Sequence, residues 1–206
     1  MGSITTNATI VNKEILVFAT GNLHKLKEVN MMLTQTSFKA VAMHEYNIVD
    51  EIIEDGNSMH ANAKIKSDFL FNKLDVSAMG EDSGLEIHAL DMNPGIYTAR
   101  FAGPQRNDLD NMNKVLDLLK TTNNRKAQFR SVISLNLKGK THYFEGVVEG
   151  EIALSMSGDS GFGYDPIFIP KGYNKTFAEL GSDVKNQFSH RAIAVSKMVD
   201  FLRTTD

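Results

Sequence analysis

The sequence predicts one mixed α/β domain, and three observations carry that reading. A five-residue apolar run, Ile15 to Ala19, enters a Thr-Gly-Asn turn after which apolar residues recur at helical spacing. A long stretch with a capping residue at its start follows, ending near Leu74. Further on, two alternating segments flank a Lys-Gly-Lys turn, the pattern of an antiparallel hairpin. With 206 residues, such a domain buries roughly 70% of its unfolded surface and needs no staple.

Composition narrows the function classes. The chain has no cysteine, which removes disulfides, thiolate metal sites and cysteine nucleophiles. Its 22 Lys and Arg against 25 Asp and Glu, a net charge of −3, speak against a broad nucleic-acid surface, because that mode needs clustered cations. Small anions need only a few local ones. No run approaches the 18 or so apolar residues of a membrane span, so neither a membrane nor a nucleic acid is expected as partner. Residues 1–13 read as a polar, disordered tail without a secretory signal, leaving 14–206 as the domain; Gly2 and Thr6 fit the loose myristoylation pattern without a polybasic segment beside them. A cytoplasmic protein is the expectation.

The elements follow in order. Ile15 to Ala19 is a strand, and Leu23, Leu26, Val29 and Leu33 mark the helix after it. Phe38 to Met43 suggests a second strand, and an acidic loop through Asp50, Glu51, Glu54 and Asp55 ends at Gly56. Asn57 or Ser58 caps a helix to about Leu74. Val76 to Leu90 is extended but interrupted at Gly80 to Gly84, which is too polar for an uninterrupted buried strand. A Pro- and Gly-containing loop, Met92 to Asn107, precedes a helix from Asp108 to Lys120. Gln128 to Leu137 and His142 to Leu154 form the hairpin, and Ser157 to Asp165 a glycine-dense loop. The last helix runs from about Ser189 to Arg203, with Ile193, Val195 or Ser196, Val199 and Leu202 facing inward.

Some signals fail on inspection. Gly139-Lys140-Thr141 lacks the first glycine of a P-loop, where Ser134 stands. His44-Glu45 opens a zinc pattern that Ile48 breaks, and Gly161-Phe162-Gly163 lacks the third glycine of a dinucleotide fingerprint.

Four segments place polar residues against element ends. In Thr20-Gly21-Asn22-Leu23-His24-Lys25, free N–H groups and the helix dipole favour an anion, Gly21 admits it and Lys25 adds charge; an N-cap with a solvated lysine fits the same residues. In Glu54-Asp55-Gly56 with Asn62 and Lys66, the helical residues share a face, so Lys66 could meet the same anion while Glu54 faces a metal; an acidic loop and a surface lysine also fit. Glu81-Asp82-Ser83-Gly84 sets two carboxylates in apolar surroundings, which a Mg²⁺ or an activated water would explain, as would a solvated turn. In Gly161-Phe162-Gly163-Tyr164-Asp165 with Lys185, His190 and Arg191, Phe162 can stack on a planar base. Asp165 could then accept from ring N–H groups while Lys185 and Arg191 donate to an exocyclic oxygen. A glycine loop packed on a helix with a basic first turn is the alternative, and cations there oppose the dipole.

Together, and in this order, these segments resemble the inosine triphosphate pyrophosphatase family, the Ham1-like non-standard purine NTP pyrophosphatases. The matching motifs are Thr20, Gly21, Asn22 and Lys25; Glu54 and Gly56; Asn62, Ala63 and Lys66; Asp82 to Leu85; Pro94 to Arg100; Phe162 to Phe168; and Lys185 with Ser189, His190 and Arg191. Three positions depart from many relatives: Ala61 and Ile53 replace acids, and Glu81 replaces Asp.

The resemblance implies an elongated central mixed sheet flanked by helices, two lobes around a nucleotide-binding cleft, and a homodimer. It implies Mg²⁺-dependent hydrolysis of ITP, dITP or XTP to the monophosphate and pyrophosphate, removing deaminated purines. By position, Thr20, Gly21, Asn22, Lys25 and Lys66 hold the triphosphate, Ser83 binds substrate, and Asp82 is general base or metal ligand beside Glu81, with Glu54 as a further ligand. Phe162, Gly163, Tyr164, Asp165, Lys185, His190 and Arg191 form the base site. The rivals are a Maf-type nucleotide pyrophosphatase preferring other bases and a catalytically silent nucleotide sensor.

Overall fold

The computed structural model describes residues 13–205, so the expected tail and the myristoylation-like pattern fall, Lys13 apart, outside the described residues. Six strands form one sheet: β1 (Glu14–Phe18), β2 (Phe38–Ala42), β3 (Ala78–Ile87), β4 (Lys126–Leu137), β5 (Lys140–Ile152) and β6 (Phe168–Pro170). Their order is β2-β1-β3-β4-β5-β6. β1 is parallel to both neighbours and the other pairs are antiparallel, so the sheet is mixed, as the family resemblance implies. Helices α1 (Leu23–Met32), α2 (Met59–Leu74), α3 (Asp108–Leu118), α4 (Phe177–Leu180), α5 (Ser182–Phe188) and α6 (His190–Leu202) flank it. Among the described residues no helix is long and apolar enough to cross a membrane.

Alternation along β1 sorts the two faces, since successive side chains point opposite ways. Leu16 and Phe18 pack with Val29 of α1 and with Val195, Met198 and Leu202 of α6. Val17 and Ala19 turn the other way, onto Leu70 of α2. A further core, with Leu85, Phe129, Phe168 and Phe177 beside Val115 of α3, closes the β6 end.

The expected interruption at Gly80 to Gly84 is absent. β3 runs through it, paired with β4 at every residue from Ala78 to Ile87. The glycines serve close approach rather than a turn: a Cβ on Gly80 would lie 2.2 Å from the Ala63 carbonyl oxygen, and one on Gly84 2.3 Å from that of Gly95. Polarity here has a separate cause. β1 pairs with β3 only at Val17 with Ala78 and Phe18 with Met79, and the Ala19 N–H then donates to the Met79 carbonyl. Beyond that point β3 has outrun β1, and among the described residues its only strand partner is β4. Glu81, Asp82 and Ser83 therefore stand along an open strand edge, beside the carboxyl end of the parallel strand β1 and between α1 on one face of the sheet and α2 on the other, where α/β sheets commonly bind ligands.

Other boundaries shift modestly. The hairpin turns on Lys138 and Gly139, both at positive φ, as a two-residue turn requires. Ser58 caps α2 by accepting the Ala61 N–H, and Ser189 caps α6 by accepting that of Ala192. Ile193 is only partly buried, while Ala194 and Met198 are fully so. Residues 166–188, without assignment from the sequence, contain β6, α4 and α5.

Candidate active site

The open edge of β3 is charged from both sides. In the turn after β1, Thr20 Oγ1 accepts the Asn22 N–H at 3.0 Å, and Asn22 Oδ1 caps α1 by accepting the His24 and Lys25 N–H groups at 2.9 and 3.3 Å. Gly21 is exposed, with open space where a side chain would stand. The cap fixes Lys25, whose Nζ lies 3.4 Å from both Ser83 Oγ and Glu81 Oε2. From α2, Lys66 Nζ donates to the Glu81 carbonyl oxygen at 3.0 Å and pairs with Glu54 Oε2 at 2.7 Å.

Being adjacent on a strand, the two carboxylates leave it on opposite faces. Asp82 turns to α2, where Asn62 Nδ2 donates to its Oδ2 at 3.0 Å, while the Ser83 N–H donates to its Oδ1 at 3.0 Å. Burial pushes the Asp82 pKa up, against the pull of Lys66 and Asn62. Glu81 turns to α1 and α6. Its Oε1 accepts from Ser131 Oγ at 2.9 Å and from Arg191 Nε at 2.8 Å, and Oε2 has no hydrogen-bond partner among the described residues. Burial works against ionised Glu81, but Arg191 and Lys25 outweigh it and hold the carboxyl below the ordinary range. Burial also lowers the pKa of Lys25, with Glu81 opposing and Arg191 adding to the fall.

A cavity of about 290 Å³ opens from this edge, starting at Asn22, Lys25 and Ser83. Its far wall is the glycine loop. Phe162 sits between Gly161 and Gly163, both at positive φ, and its N–H donates to Asp165 Oδ2 at 3.0 Å. A Cβ on Gly161 would fall 2.1 Å from that same oxygen. Lys185 Nζ donates to it at 2.6 Å and lies 4.6 Å from the Phe162 ring centroid. Burial raises the Asp165 pKa, against Lys185 and the Phe162 N–H. The Gly163 N–H donates to Asp108 Oδ2 at 2.9 Å and the Tyr164 hydroxyl to the Thr98 carbonyl at 2.8 Å. His190 stacks on Phe129 with centroids 4.8 Å apart; its Nδ1 has no hydrogen-bond partner among the described residues, and burial, then Arg191 and Lys185, hold its pKa well below the ordinary value.

The residues named from sequence thus divide into two connected groups. Asn22, Lys25, Ser83 and the seven of the expected base site line the cavity; Thr20, Gly21, Glu54, Lys66, Glu81 and Asp82 gather along the edge that leads to it. Two details depart from expectation. Lys185 is not in the first turn of the last helix but near the end of α5, so the dipole argument applies to Arg191 alone. Arg191 in turn is tied at two nitrogens, to Glu81 and, through Nη1 at 2.6 Å, to Glu28, and it lies with Cζ 5.7 Å from the Phe162 centroid. Sequence reasoning does not single out Thr98, Asp108 or Phe129, which also line the cavity. Thr98 lies inside the Pro94 to Arg100 motif and fastens it to β3 by accepting the Leu85 N–H at 2.9 Å. Among the described residues no three His, Asp or Glu side chains form a ready metal cage.

The Ham1 family profile matches residues 16–201. The dITP/XTP pyrophosphatase of Flavobacterium johnsoniae is 43% identical over 190 residues, 92% of this chain and 98% of that protein. The enzyme of the same name from Bacillus subtilis is 40% identical over 196 residues, 94% and 98% of the two chains. The solved structure of the Staphylococcus aureus Ham1 protein superposes with a TM-score of 0.87 at 36% identity, over 94% of this chain and 100% of that one. A HAM1 protein from Coxiella burnetii gives 0.88 at 35%, over 93% and 99%.

Proposed function

Because the chain belongs to the Ham1 family, we infer that it is a nucleoside triphosphate pyrophosphohydrolase acting on the non-standard purine nucleotides ITP, dITP and XTP. It releases the monophosphate and pyrophosphate, and so removes deaminated purines from the nucleotide pool. The observation that carries the reading is the place of Lys25. Its ammonium touches the carboxylate-bearing edge at Glu81 and lines the cavity that ends at Phe162 and Asp165, so a phosphate chain and a planar base have one continuous path.

Each end has its chemistry. Lys25 and Lys66, with the Gly21 N–H of the capped turn, hold the triphosphate; a triphosphate carries close to four negative charges, and a protein of net charge −3 needs such local cations. Phe162 stacks on the base. Asp165 accepts from N1–H, while Lys185, His190 and Arg191 surround the oxygen at C6. Adenine would set an amino group against donors and a bare N1 against the carboxylate, at about 1 to 3 kcal/mol each, or roughly 30-fold to 10⁴-fold discrimination together.

The edge also fits Mg²⁺. This ion takes oxygen ligands and is commonly held by one or two carboxylates with substrate phosphates and waters, so no ready cage is required. The donors at hand are Asp82, whose oxygens keep lone pairs beyond their bonds to Asn62 and Ser83, Glu54, and Oε2 of Glu81, which faces Lys25 and accepts no hydrogen bond among the described residues. These residues would hold the ion, which would supply neutralisation of phosphate charge and acidify the attacking water. Asp82 takes up a proton from the attacking water at a carboxylate oxygen.

Homodimerisation and a cytoplasmic location belong to the same proposal, and light scattering and cell fractionation test them. The function is tested by kcat/KM for ITP, XTP, ATP, dTTP and UTP. Preference for ITP and XTP is expected; equal turnover of ATP, preference for the pyrimidines, or binding without turnover in Mg²⁺ would overturn it.

A further inference from the structure

Gly56 closes the acidic loop, yet it is not among the glycines at positive φ, so turn geometry does not call for it. What its missing side chain admits is Asn62: a Cβ at position 56 would fall 2.6 Å from Asn62 Oδ1 and 2.7 Å from the Ala61 Cβ. The Gly56 N–H donates to that Oδ1 at 2.9 Å, and Asn62 Nδ2 donates to Asp82 Oδ2 at 3.0 Å. Asn62 is 1% exposed, and both ends of its carboxamide are committed. The other Asp82 oxygen accepts the Ser83 N–H at 3.0 Å, so the carboxylate plane is set from two directions. Glu54 stands two residues before the clasped Gly56.

Resting on the function inferred above, we propose that Asn62 is a positioning residue for Asp82: its carboxamide clasps the acidic loop to β3, orients the carboxylate and sets its distance from Glu54. A buried amide at this place is costly unless paired, and its two pairings are the two groups whose relative position matters. Outer partners of metal-binding or catalytic groups typically carry 10-fold to 100-fold in affinity or rate, and a misplacement of about 1 Å can cost about 100-fold.

The test uses Asn62→Leu, which removes both bonds at similar volume, and Gly56→Ala, which presses on Asn62 from the loop side without touching Asp82. Four quantities are read: kcat and KM for ITP, Mg²⁺ affinity of the nucleotide-free protein by calorimetry, and binding of inorganic triphosphate without metal. For each variant kcat and Mg²⁺ affinity should fall about 10-fold to 100-fold, with KM within about threefold. Triphosphate binding should be unchanged, since Lys25 and Lys66 remain. The double variant should be no worse than the poorer single one, because both act on one clasp. Should Asn62→Leu not fold, Gly56→Ala carries the test. A folded variant with kcat and Mg²⁺ affinity within twofold of the original, or a double variant whose loss is the product of the single ones, would overturn the clasp. If the unmodified protein releases no pyrophosphate from ITP, the functional reading fails while the Mg²⁺ titration still tests the clasp.

Discussion

Lys185 on α5 and Asp165 in the glycine loop meet at 2.6 Å, with side chains 5% and 2% exposed. Removing one partner of such a pair leaves the other charged and buried, at about 3–5 kcal/mol. Lys185→Ala should lower stability by that amount at pH 8. The loss should shrink on acidification: burial already holds the Asp165 pKa above its unfolded value, so the folded state binds a proton more readily, and the penalty is absent below the unfolded pKa and grows as pH rises through the folded one. Urea unfolding of both proteins from pH 8 to pH 4 checks this; a gap constant with pH would assign the loss to packing alone.

Arg191 bridges Glu81 and Glu28 with two different nitrogens while facing the Phe162 ring. Arg191→Lys cannot reproduce this, because an ammonium is a point charge without the planar fork. The variant should lose about 2 kcal/mol or more of stability and its ITP to ATP selectivity should fall. Thermal melts and kcat/KM for both nucleotides decide it, and an unchanged ratio would remove Arg191 from base recognition.

Lys25 and Lys66 reach the β3 edge from opposite faces. Replacing either with Ala should weaken binding of ITP about tenfold more than binding of IMP, since each deletes a charge-assisted contact to phosphate. Calorimetry on both ligands measures the difference. Equal losses would place the lysines away from the β- and γ-phosphates.

Asp82→Asn keeps the shape of the side chain and the Ser83 N–H as donor to its oxygen. The variant should stay folded while kcat for ITP falls roughly 10²-fold to 10⁴-fold, the range for loss of a general base. Near-normal turnover would take the role from Asp82.

How far the sequence carries the structure depends on length and periodicity. β1 is legible as a five-residue apolar run before a turn, α2 from its capping residue and its length of sixteen, and the hairpin from alternation that persists over strands of twelve and thirteen residues. β6 and α4, of three and four residues, are too short for any period to register, although Thr176 and Glu179 form a capping box that marks the start of α4. The strand character of Gly80 to Gly84 is hidden because its glycines answer to Ala63 and Gly95, distant in sequence, and its carboxylates to an edge created where another strand stops. In the site, residues in local motifs are legible one by one. Their partnerships are not: nothing local in the chain announces that Glu28 ties to Arg191, or that Asn62 spans Gly56 and Asp82.

Release of the monophosphate and pyrophosphate from a non-standard purine triphosphate calls for attack of water at its α-phosphorus, and hydrolysis of ITP in ¹⁸O-labelled water reads out which phosphorus is attacked. One ITP should give one IMP and one pyrophosphate, with the label in the IMP phosphate. Label in the pyrophosphate would move the attack to the β-phosphorus, and IDP with inorganic phosphate as products would contradict the reaction altogether.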